Sequence, residues 1–243
     1  MRALRISLIL LVVFGVLFTV ADRLSLMFAE GEVATRARSG LGLESEPGVS
    51  IKGFPFLTQL LGKRIDHVEL DISDYGVELD GRQTRLEDLS IELRNTRIAG
   101  DFSGARAERA SGTGVLGYRE LGELATQEVK EVHDSLAVEF GYAGEGQVII
   151  QVTVLGQKLV PEMTADLVLH EESQLVQLKV DEIPSLDGLP LVGSGLEDQL
   201  REWVDREREI RGLPEGLSLD GVEAAENGVN LAVTGTDVGL DGA

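Results

Sequence analysis

Val68, Leu70 and Ile72 alternate with Glu69, Asp71 and Ser73, and Leu89, Ile91 and Leu93 repeat the pattern against Ser90, Glu92 and Arg94. On an extended chain, successive side chains point to opposite faces, so each segment has one oily and one polar side. Such a segment persists only when its oily side is covered, and this commits the chain to building a sheet. The same period returns at Leu136-Val138-Phe140, Val148-Ile150-Val152-Val154, Ala165-Leu167-Leu169, Val176-Leu178-Val180 and Val229-Leu231-Val233. Asp80-Gly81, Asp187-Gly188, Asp220-Gly221 and Asn227-Gly228 supply turn signals between several of them, so antiparallel meanders are expected. Gly141-Tyr142-Ala143-Gly144-Glu145-Gly146 is followed by strand residues, whereas a phosphate cradle needs a helix there. It reads as a hairpin turn.

Helical spacing appears in three places. Over 21–40, Leu24, Met27 and Phe28, with Val33 and Ala37, predict the apolar side of an amphipathic helix that Gly40, Gly42 and Pro47-Gly48 end. Over 117–126, Leu121 and Leu124 share one side. Over 195–211, Leu196, Leu200, Trp203 and Val204 recur at helical intervals, Glu197 with Arg201 and Glu202 with Arg206 add four-residue charge pairs, and Gly212 and Pro214 stop the helix.

At the N-terminus, Arg2 and Arg5 introduce an apolar run over 6–21 broken only by Ser7, Gly15 and Thr19. A spanning helix needs roughly 20 apolar residues, so this run is marginal for one and ample for the core of an export signal. Thr19-Val20-Ala21 offers an imperfect small-residue cleavage site. Residues 1–21 are therefore read as a cleaved signal peptide or a retained membrane anchor, and 22–243 as a single domain outside the cytoplasm, in the cell envelope.

Forty-two acidic residues against 22 basic ones give a formal charge of −20. A surface of that sign repels phosphate backbones, so nucleic acid is not an expected partner. Cysteine is absent from the sequence, which removes disulfides, thiol chemistry and N-terminal lipidation on cysteine. His67, His133 and His170 are too far apart in sequence to form a metal-ligand pair, Gly193-Ser194-Gly195 lacks the five-residue nucleophile pattern, and Asp71, Asp74 and Asp80 do not have the spacing of a calcium loop. No catalytic residue, metal or cofactor is expected.

One block fits none of these patterns. Pro55 disfavours helix at Phe54, so Gly53-Phe54-Pro55-Phe56-Leu57, with Leu60 and Leu61, gathers two aromatics and three leucines on a bend. Two readings follow from the residues: a plug that closes one end of the core, or the mouth of an apolar cavity.

Together with the N-terminal signal, this block, the strand Val68-Glu69-Leu70-Asp71-Ile72, the stretch Leu213-Pro214-Glu215-Gly216-Leu217-Ser218-Leu219 and Asn227-Gly228-Val229 resemble the actinobacterial LmeA family of phospholipid-binding envelope proteins. The resemblance implies an α+β fold like that of tubular lipid-binding domains, in which a long curved antiparallel sheet wraps an N-terminal amphipathic helix. It also implies phospholipid as partner and a link to the assembly of envelope glycolipid or polysaccharide. The expected site has Phe54, Phe56, Leu57, Leu60 and Leu61 at a cavity mouth, with Leu70, Ile72, Leu89, Ile91, Val138, Val152, Leu231 and Val233 lining or backing the interior. The competing functions are a structural or protein-binding envelope module and an envelope hydrolase.

Overall fold

A computed structural model describes residues 2–100, 104–130, 134–158, 160–180 and 196–240. His133, Asp187-Gly188 and Gly193-Ser194-Gly195 lie outside the described residues. In chain order the elements are α1 (Arg2–Gly40), β1 (Gly48–Lys52), α2 (Phe56–Leu61), β2 (Arg64–Leu79), β3 (Arg82–Ile98), β4 (Ala105–Leu116) and α3 (Tyr118–Lys130). They continue as β5 (Leu136–Gly144), β6 (Gln147–Val154), β7 (Met163–His170), β8 (Leu175–Val180), α4 (Leu196–Asp205), β9 (Glu207–Arg211), β10 (Ser218–Ala225) and β11 (Gly228–Gly239). The protein is α+β with a long N-terminal helix and antiparallel strands, as the alternation and the resemblance led us to expect. Among the described residues the hydrogen-bonded strand order is β10-β11-β4-β3-β2-β9-β8-β7-β6-β5, with β1 paired to β2.

The chain forms two compact units. The first comprises 1–72, 90–111 and 235–243, and the second comprises 73–89 and 112–234. In the first, α1 runs unbroken through its apolar start to Gly40, where Gly42 takes a left-handed conformation (φ +64) and the Leu43 N–H bonds the Arg38 carbonyl at 2.9 Å. That is a glycine-terminated helix end. Asp22, Leu26, Ala34 and Ala37 form the buried stripe of α1, against β1 and α2. Leu24, Met27 and Phe28, expected on the inner side, are instead exposed. The small side chains of Ala34 and Ala37 let α1 approach closely, and Glu30 on the same side accepts the Ile51 N–H of β1 at 2.9 Å. Polar anchoring therefore outranks hydrophobicity in orienting this helix.

Strands β2, β3 and β11 change their buried face partway along. In β2 the buried positions Val68, Leu70 and Ile72 give way to Tyr75 and Val77, with Asp74 at φ +56 between them. Asn95 (φ +53) separates Leu93 from Thr96 in β3, and Asp237 (φ +56) precedes Val238 in β11, whose earlier buried residues are Val229, Leu231 and Val233. Each left-handed residue shifts the alternation by one position, as a bulge does.

In the second unit, hairpins join β2 to β3 through Asp80-Gly81 (φ +48, +82) and β5 to β6 through Glu145-Gly146 (φ +53, +80). Both have the paired positive φ values of tight hairpin turns. Asp220-Gly221, expected as a turn, lies inside β10, where the pairing with β11 shifts between Leu219 and Gly221. The predicted 195–211 helix ends earlier, with α4 at Asp205, and its last residues form β9, paired to β8 and β2. Arg208 and Ile210 make that segment fit a sheet better than a fourth helical turn, because Arg208 is buried and bonds the carbonyls of Trp203 and Arg206. The 117–126 helix extends to Lys130 and buries Val129 in its last turn.

Candidate functional site

The second unit encloses an apolar chamber of about 80 Å³. One wall is α3, whose Leu121, Leu124, Ala125 and Glu128 follow one another at helical spacing on the chamber side. That orientation is enforced from behind. Thr126 Oγ1 accepts the Val138 N–H at 2.9 Å, and a side chain at Gly122 would sit 3.1 Å from the Val138 carbonyl oxygen. The opposite walls come from the sheet, including Phe140, Val148, Leu167, Val176, Leu178, Val222 and Leu231. Several of these, Phe140, Leu167, Val176 and Val222 among them, are only half-buried. Water therefore reaches apolar surface that a sealed core would hide.

The chamber has one polar end, formed by Asp80, Arg82, Glu128 and Arg208 beside Trp203. Glu128 Oε2 accepts the Trp203 indole N–H at 2.7 Å, and its other oxygen accepts from Arg206. Arg208 lies 3.6 Å from Glu128 and 5.0 Å over the Trp203 ring. Burial lowers the pKa of Arg208, while the Glu128 carboxylate pulls it back up. This arrangement suits an amphipathic guest, with acyl carbons against the sheet and α3 and polar atoms towards the guanidinium end.

Of the expected lining residues, Leu231 faces this chamber. Val138 and Val152 pair directly across β5 and β6 and are buried, and Val233 and Leu89 are buried in the same unit. Leu70, Ile72 and Ile91 are buried in the first unit. Of the expected mouth, Phe56 is 1% exposed, Leu57 and Leu60 are half-buried, and Phe54 and Leu61 are 61% and 84% exposed. None of these five lines the chamber. The spacing of Leu121 and Leu124 was a legible sign of the α3 wall. The meeting of Glu128 with Trp203 and Arg208 carries no such local signal, since 75 residues separate Glu128 from Trp203.

One cluster in the first unit brings together side chains able to bind a metal. His67 Nε2 lies 3.4 Å from Glu69 and 3.7 Å from Glu92. Lys52 already pairs with Glu69 at 2.7 Å and Arg94 with Glu92 at 2.8 Å. Two cations thus balance the two carboxylates, and the cluster ties β1, β2 and β3 together electrostatically.

Residues 20–234 match the profile of a family described as LmeA-like phospholipid-binding. No curated protein and no solved structure matches the chain.

Proposed function

Since the chain belongs to the LmeA-like phospholipid-binding family, we propose that it is a non-catalytic phospholipid carrier of the cell envelope, exported by its N-terminal segment and holding an acyl chain in the chamber of the second unit. The observation that carries the reading is an apolar chamber with half-buried walls and a single polar end. At about 80 Å³ it is smaller than the roughly 300–1,000 Å³ of pockets that enclose a whole ligand. An acyl chain therefore enters by displacing the half-buried side chains, and four methylenes contribute about 3 kcal/mol once covered. The headgroup lies towards Asp80, Arg82 and Arg208, and the bound lipid is delivered to glycolipid or polysaccharide assembly at the outer face of the membrane.

Support for export comes from α1, whose apolar first half is long enough to cross a bilayer and is not covered by the protein. Cell fractionation of a tagged full-length chain tests location, and recovery in the cytosol contradicts it. Native mass spectrometry of the full chain, extracted in mild detergent from a bacterial membrane, tests the carrier role. The expected result is a retained phospholipid, lost in Val222→Trp, which fills the chamber from a half-buried wall. A chain that never retains phospholipid refutes the carrier reading and leaves the structural module.

A further inference from the structure

Phe54, Leu61 and the outer side of α1 belong neither to the chamber nor to the core. Phe54 is 61% exposed, Leu61 84%, Leu24 53% and Met27 68%, in a unit that buries Phe56 almost completely. Exposed apolar residues are unremarkable when scattered, but a gathered set marks a surface that something covers.

Phe54 and the start of α2 are held against the stretch of α1 that also carries Leu24 and Met27. Asp22 is the first residue after the apolar run, and α2 is attached there: Asp22 Oδ1 accepts the Leu57 N–H at 2.8 Å. Next to it, the Arg23 guanidinium lies 5.2 Å over the Phe54 ring. The α2 turn is also fixed from its other side, because Gln59 donates to the Lys52 carbonyl at 3.3 Å and accepts the Asp66 N–H at 3.0 Å. Phe54 and Leu61 thus project from a rigid base.

At 1.5 Å per residue, the apolar run over 6–21 spans about 24 Å, and the side chains of Arg2 and Arg5 ahead of it can reach the far headgroups of a hydrocarbon core of roughly 30 Å. With that segment in the membrane, Asp22, Arg23 and the start of α2 stand at the hydrocarbon boundary, and Leu24 and Met27 follow within about 8 Å of it. Charge agrees with this placement. Between Glu46 and Asp66 the chain carries Lys52, Lys63 and Arg64 and no acidic residue, its longest acid-free stretch beyond Asp22, in a protein of net charge −20. A body this acidic is repelled by a phosphate surface, so a contact region must be cleared of carboxylates.

We propose that α2 and the Phe54-Pro55 turn form a docking surface for the phospholipid bilayer, with Phe54 and Leu61 entering the acyl boundary and Arg23, Lys63 and Arg64 at the level of the lipid phosphates. The proposal rests on residues 1–21 being retained as an anchor. It concerns the lipid surface, not the lipid cargo.

The absence of cysteine from the sequence permits single-cysteine labelling with an environment-sensitive fluorophore. Full-length Leu61→Cys, Val12→Cys and Ser39→Cys proteins are reconstituted in mixed phosphatidylcholine and phosphatidylglycerol vesicles containing nitroxide-labelled lipids. All three sites are exposed in the protein. Ser39 lies about 25 Å along the helix from Asp22 and reports on water. The expected result is a blue shift and loss of most fluorescence at Val12 and Leu61, with Ser39 unchanged. Quenching at Val12 with an unquenched Leu61 overturns the docking surface alone. No quenching at Val12 overturns the retained anchor and the docking geometry together. Quenching at all three sites means that α1 lies flat on the membrane, which also overturns the proposal.

Discussion

Phe56→Ala separates a plug from a cavity mouth. Phe56 is the first residue of α2 and is 1% exposed, among the largest fully buried side chains. Truncating a buried Phe to Ala costs about 3–5 kcal/mol, because its transfer energy is lost and a cavity is left behind. At about 2–4 °C per kcal/mol for a protein of this size, the melting temperature should fall by about 6–20 °C. Phe54, two residues earlier and 61% exposed, supplies the comparison. Its resolved interaction with the ring face is the Arg23 cation at 5.2 Å, worth about 0.5–1 kcal/mol at an exposed site. Phe54→Ala should therefore lower the melting temperature by no more than about 2–4 °C. Circular dichroism melts of both full-length variants in one detergent, with bound phospholipid weighed by native mass spectrometry, read out the pair. If Phe56→Ala melts within about 2 °C of the parent and loses its lipid, Phe56 faces cargo and the reasoning from burial fails.

Three further outcomes follow from the second unit. Glu128→Ala leaves Arg208 buried without its carboxylate and the Trp203 indole N–H without its acceptor; a loss of about 3–5 kcal/mol in a denaturant titration is expected. Gly228→Ala places a Cβ 2.5 Å from the Leu116 carbonyl oxygen at φ +149. Rigid backbone cannot yield there, so chemical denaturation should show a loss of about 2–4 kcal/mol. Burial raises the pKa of Tyr75, whose hydroxyl donates to the Gly212 carbonyl at 2.9 Å. The folded state holds that proton more tightly than the unfolded chain, so this stability is present below about pH 10 and is lost as pH rises past it. Tyr75→Phe should flatten the alkaline arm of a melting-temperature profile.

The alternation made the strands legible because covering one face of a sheet is a local demand, written every second residue. It did not reveal where the buried face changes, since the shifts at Asp74, Asn95 and Asp237 depend on left-handed backbone that polar residues adopt without announcing it. The orientation of α1 was misleading for a related reason. Leu24, Met27 and Phe28 are large and apolar, yet Asp22 and Glu30 bind main-chain N–H groups of α2 and β1 and fix the side that carries Leu26, Ala34 and Ala37 inward. In 195–211 the charge pairs favoured helix throughout, and only the neighbouring strands β8 and β2 turn its end into β9. The chamber was half legible. The spacing of α3 marked one wall, while its polar end joins Asp80 and Arg82, Glu128, and Trp203 with Arg208, three groups that the sequence keeps far apart.

The left-handed residue at Asp74 gives β2 something like a change of reading frame. From Val68 to Ile72 even-numbered residues are buried, and downstream odd-numbered ones are, beginning with Tyr75 and Val77. A one-residue deletion beside Asp74 that keeps its left-handed conformation would turn outward the buried residues on the deleted side, whereas substitutions on either side leave the other undisturbed. The two stretches of a single strand can thus drift in sequence as separate segments, bound only by the number of residues at the switch. Among relatives, length at this position should vary less than the identity of the side chains around it.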